Sequence, residues 1–154
     1  METGLLYLGG EMVLNALSYG LVSVAISDTS HSILNILKGT VFDETNYPGL
    51  SKFLNEHDLK NTIKIIESII NDIDKDIQAK NSVHLSLEGV LEIINKIKDE
   101  LNNIEQEISY HTTERYFSEY RTPHYYQYLK TITDYHKILE NRIGLLINIL
   151  KLHK

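Results

Sequence analysis

Residues 59–77 read LKNTIKIIESIINDIDKDI, and residues 83–108 read VHLSLEGVLEIINKIKDELNNIEQEI. In the first stretch Leu59, Ile63, Ile66, Ile70, Ile73 and Ile77 step by 4, 3, 4, 3 and 4. In the second, Val83, Leu87, Val90, Ile94, Ile97, Leu101, Ile104 and Ile108 keep the same alternation. Steps of three and four return to one face of an α-helix, whereas a strand repeats every second residue. Isoleucine is β-branched and by itself favours strand. Here the 3.5-residue period, with Asn, Asp, Glu and Lys filling the intervening positions, outweighs that propensity. Two such helices joined by the short polar stretch 78–82 imply an antiparallel helical hairpin over residues 58–109. Ile65 and Ile69 widen the apolar face of the first helix, and Leu91 and Ile93 that of the second. Faces that wide need more than one neighbour each, as in a helical bundle.

The same spacing returns near the C-terminus. Tyr125, Leu129, Ile132, His136, Leu139, Ile143, Leu146 and Leu150 share one face. Thr122 and Pro123 stand where an N-cap and a first helical residue belong, so a helix over 123–152 is expected. Asp58 is the expected N-cap of the 58–79 helix. Towards the N-terminus, residues 5–27 carry a single charge, Glu11. A helix apolar nearly all round must be covered by protein or lipid. Ala16, Gly20, Ser23 and Ser27 recur at helical spacing, and a stripe of small residues lets another backbone approach closely. Residues 21–27 also alternate like a strand, which is the minority reading. Asp28, Thr29 and Ser30 are cap formers, predicting a break and a second short helix over 31–38 that ends at Gly39. Asn46-Tyr47-Pro48-Gly49 predicts a turn within a 40–57 connection, with one helical turn near 51–56.

The expectation is one all-α domain, a helical bundle with about four principal helices at 5–27, 58–79, 83–109 and 123–152. Residues 1–39 form the apolar helix and the short one, 40–57 the connection, 58–109 the hairpin, 110–122 a Tyr-rich turn region and 123–154 the C-terminal helix. A tight reversal near 119–122 would set His136 beside residue 105. A chain of 154 residues is long enough to bury a core without staples.

Composition removes several chemistries. The chain has no Cys, which excludes a disulfide framework, a thiol nucleophile and thiolate metal sites. A net charge of −6 disfavours broad nucleic-acid binding. The first Lys or Arg is Lys38, so no basic segment of the kind that opens a secretory signal is expected. No Glu has His three residues later, and no His pair stands four apart, so helix-borne metal motifs are missing. Gly9-Gly10 lacks the Lys-Ser/Thr of a phosphate loop, and no Gly-x-Ser-x-Gly elbow occurs. No cofactor and no catalytic residue is therefore expected. His31 and His136 are the histidines on which a ligand-binding alternative would rest. His136 is the more notable, because it occupies a seam position and so predicts a buried polar group.

Residues 110–135 hold seven of the ten Tyr. Arg115, Tyr116, Tyr120, Arg121 and Tyr125 combine rigid aromatic area with guanidinium groups, the mixture favoured at protein interfaces. Tyr116, Tyr120 and Tyr125 would also cover one end of the bundle with their hydroxyls in water, the first reading of such a cluster, and stacking of bases is the remote one. Local charge is only about +1, a weaker excess than nucleic-acid proteins usually carry. The sequence thus predicts a non-catalytic interaction or assembly protein that self-associates or binds a protein partner. Candidate interface residues are Ala16, Gly20, Ser23 and Ser27 together with the Tyr/Arg group. Membrane association through residues 5–27 is the alternative, since a span needs about 20 predominantly apolar residues.

Overall fold

A computed structural model describes residues 11–39, 42, 47–113 and 125–153, without the side chains of 11–19, 48 and 111–113. The described residues form six helices and no strand: α1 (Glu11–Leu37), α2 (Pro48–Glu56), α3 (Leu59–Asp72), α4 (Lys75–Gln78), α5 (Asn81–Thr113) and α6 (Tyr126–Lys151). The all-α class read from the heptad spacing stands. All eight seam residues of the 83–108 stretch are buried, each 2% exposed or less. Leu59, Ile63, Ile66 and Ile70 are likewise buried on α3, and Leu129, Ile132, His136, Leu139 and Leu146 on α6.

Side-chain pairs fix the direction of each helix. His31 meets Glu67 of α3 and Ser23 meets Gln78 of α4, so α1 runs antiparallel to the α3–α4 segment. Thr29 donates a hydrogen bond to Asn95 at 2.9 Å, and Gly39 lies beside Glu105, so α1 and α5 are parallel. Arg142 reaches Gly89 and Glu92, and Ser82 reaches His153, so α5 and α6 are antiparallel. The four long elements therefore run up, down, up, down.

A long antiparallel hairpin is present, and its closest packing is between α5 and α6. α3 runs antiparallel to α5, as the 58–109 reading expects, but α3 and α5 share α1 as their close neighbour. The register of α5 against α6 also differs from a tight reversal. α5 extends to Thr113 and α6 begins at Tyr126, so Tyr135 lies under Lys96 rather than near residue 105.

Four local expectations need correction. α1 does not break at residues 28–30. Thr29 and Ser30 are buried on the bundle face between Ile26 and Ile33, and the Thr29 hydroxyl bonds across to Asn95 instead of capping. The strand reading of 21–27 fails with it. The expected 58–79 helix stops at Asp72, where Ile73 turns extended (φ −83°, ψ 123°) and α4 follows. The buried amide of Gln78 donates to the Ile73 carbonyl at 2.9 Å and compensates that interruption. Asp58 does occupy the N-cap position, but it is left-handed (φ 51°) and its side chain makes no cap bond. Its carboxylate and carbonyl accept instead from Asn61 and Thr62. Finally, α6 starts at Tyr126 with Tyr125 as N-cap, later than the expected start at Pro123. Gly39 does end α1, though not through a left-handed backbone. The Ile36 carbonyl lies 3.1 Å from where a Cβ would stand, which favours glycine there.

Candidate functional site on α1 and at the His57–His136 contact

α1 divides its side chains between two faces. Val22, Ile26, Ser30 and Ile33 point into the bundle. Leu21 and Val24 point out, 62% and 56% exposed. Between these faces lie three of the small residues singled out by spacing. Ser23 and Ser27 are half-buried, and Gly20 is exposed with open space around it. The side chain of Ala16 and the whole of Gly9 lie outside the described residues.

Ser23 and Ser27 line a groove of about 370 Å³ with Val24, Asp28, Ile70, Asn71, Ile73, Lys75 and Gln78. The groove exists because α3 stops at Asp72 and the chain crosses to α4, leaving a gap against α1. Its floor is held by a relay. The Ser23 hydroxyl donates to the Gln78 side-chain oxygen, and the Gln78 amide donates to the Ile73 carbonyl. Its rim carries one carboxylate, Asp28, and one ammonium, Lys75, both exposed. Hydroxyls, amides and aliphatic side chains flanking an exposed Leu–Val pair suit contact with another surface. No imidazole lines the groove to act as a base for either serine.

Of the Tyr/Arg candidates, Arg115, Tyr116, Tyr120 and Arg121 lie outside the described residues. Tyr125 is buried at one end of the bundle, edge-on to Tyr47 and stacked on Tyr126. Burial, with the neighbouring phenols adding to it, pushes its hydroxyl pKa upward. Tyr126, 69% exposed, presents the accessible ring instead.

His136 is buried, as its seam position predicts. Its Nδ1 lies 3.0 Å from the Glu140 carboxylate, one turn along α6. Its buried Nε2 has no hydrogen-bond partner among the described residues. The ring meets His57 edge-on, with centroids 5.8 Å apart and planes at 88°. Burial lowers the His136 pKa, Glu140 opposes that shift, His57 adds to it, and Asp58 opposes it. Spacing gave no sign of the His57 contact, which joins the α2–α3 corner to α6. The available signal was local: Phe53, His57 and Asp58 together mark a helix end with an aromatic stack, and the Phe53 and His57 rings lie 4.2 Å apart.

Among the described residues no helix is long and apolar enough to cross a membrane. Nor do three or more His, Asp or Glu converge there as a metal site would require. His31 pairs with Glu67 at 3.2 Å on the surface. No family model, no curated protein and no solved structure matches the chain.

Proposed function

We propose that the protein is a non-catalytic helical assembly subunit, and that the α1 face is where it meets a second copy of the chain or a protein partner. The observation that carries this reading is the placement of Leu21 and Val24. Both remain largely exposed on a helix whose opposite face is already consumed by the bundle. They border half-buried Ser23 and Ser27 and the open Gly20, so an incoming helix meets an apolar ridge beside a shallow groove. Burying a Leu and a Val on association is worth about 1.5–3 kcal/mol each before the cost of ordering. Partner contacts through the Tyr/Arg group at 115–121 belong to the same proposal.

Light scattering over a wide concentration range tests the reading. The expected result is a mass above that of one chain, or a defined complex isolated at native concentration, lost in Leu21→Asp without change in helicity. A strict monomer that retains no partner would overturn it.

A further inference from the structure

We propose that the α2–α3 corner is a proton-operated latch on α6, closed by the His57–His136 contact when both rings are neutral and loosened when both are protonated. The hydrogen bonds assign the closed state. The His57 Nδ1 lies 2.9 Å from the Phe53 carbonyl, which can only accept, so this nitrogen carries the hydrogen. The His57 Nε2 then holds a lone pair facing the Thr133 hydroxyl at 3.5 Å. That hydroxyl itself donates to the Leu129 carbonyl at 2.9 Å, so its oxygen can accept from a charged His57, and repulsion between the two charged rings has to outweigh that bond for the corner to loosen. By the same logic the His136 Nδ1 donates to Glu140 at 3.0 Å. Its buried Nε2 keeps a lone pair with no partner among the described residues.

A second proton on His136 has no acceptor among the described residues and places a charge in the interior beside another imidazole. With both rings charged, two like charges stand about one ring contact apart, at a centroid distance of 5.8 Å. At the effective dielectric of a partly solvated site, that repulsion multiplies an opening constant by about ten- to hundredfold. The charged groups facing His136 are Glu140 on its own helix and His57 and Asp58 at the corner. On α5, the Lys96 ammonium lies over the ring of Tyr135, the residue before His136. Glu140 and Asp58 draw a proton towards His136, whereas burial and His57 oppose it.

The corner is suited to movement. Asp58 is the one non-glycine with positive φ among the described residues, a left-handed state that aspartate tolerates and that marks the turn between the two helix ends. Leu50 and Leu54 of α2 and Leu59 of α3 are buried on either side of it, so loosening exposes apolar surface on acidification.

Hydrogen exchange on the full chain at about pH 8 and about pH 5, corrected for intrinsic rates, reads the latch directly. Amides around the corner should lose about ten- to hundredfold of their protection at the lower pH, while α5 amides keep theirs. His57→Phe retains the edge-to-face ring but cannot ionise, and should abolish most of that loss. His136→Phe should do the same. If His136→Phe fails to fold, the half-buried His57 position decides alone. Unchanged corner protection at both pH values would overturn the proposal. So would a pH-dependent loss that persists in full in His57→Phe, which would leave burial of His136 alone, and not the ring pair, as its source.

Discussion

Ile97→Ala should unfold the protein far more readily than Leu85→Ala, although both sit on α5. Ile97 is 0% exposed on the helix that α1 and α6 flank, whereas Leu85 is 58% exposed. Truncating Ile97 removes three buried carbons, worth roughly 2.4 kcal/mol at about 0.8 kcal/mol each. The cavity left between neighbouring helices adds to this, for a total of about 3–4 kcal/mol. In a chain of this size that lowers Tm by about 6–16 °C. Truncating Leu85 should change stability by no more than about 0.5 kcal/mol. Urea titrations followed by circular dichroism at fixed pH give both values on one scale. Equal shifts for the two variants would mean that α5 does not bury the seam face at the centre of the bundle, and the helix arrangement would fall with it.

Ile70→Asp places an unpaired carboxylate at a position only 4% exposed and should cost several kcal/mol, while Lys75→Asp at the exposed start of α4 should cost little. Matching thermal melts for that pair would contradict the face assigned to α3. Ser30→Ala removes a buried hydroxyl that has no partner among the described residues, so stability should hold or rise by up to about 1 kcal/mol; a clear loss would show that the hydroxyl is bonded. Arg142 donates to the Gly89 carbonyl and to Glu92, and that hydrogen bond, then the guanidinium charge, holds the Glu92 carboxyl below the usual carboxylate range. Its contribution is present above the ordinary carboxylate pKa and is lost as pH falls through the lowered value. In Arg142→Gln the Glu92 titration followed by NMR should move up, and an unmoved midpoint would dissolve the bridge.

Seam residues were legible because burial and periodicity are the same fact on a helix. Every aliphatic seam position from Val83 to Ile108 is buried. Neighbour choice was not legible. Three similar Ile/Leu faces do not say which pair meets most closely, and short connections suggested α3 against α5. The decisive information lay in α1, where Thr29 and Ser30 look like a helix start but are small enough to face α5. Asn95 takes up the polarity of Thr29, whereas the Ser30 hydroxyl has no partner among the described residues. Conversely, Ile73 fits the seam spacing yet ends α3, because a buried Gln78 five residues on takes up the freed carbonyl. His136 is legible by position, whereas its meeting with His57 depends on how the α2–α3 corner folds back, and the Phe53–His57–Asp58 run marks only the corner itself. Ser23 and Ser27 stand at the spacing of a close-packing stripe. They do approach α3 and α4, and they leave a groove rather than filling it.

Sedimentation velocity over a hundredfold or so concentration range, on wild type and Leu21→Asp side by side, tests the assembly claim most directly. The claim predicts a larger species for the wild type, alone or with the partner that copurifies with it, and a single monomeric boundary for the variant at unchanged helicity. A wild type that sediments as one chain throughout, with the same retained proteins as Leu21→Asp, would contradict it.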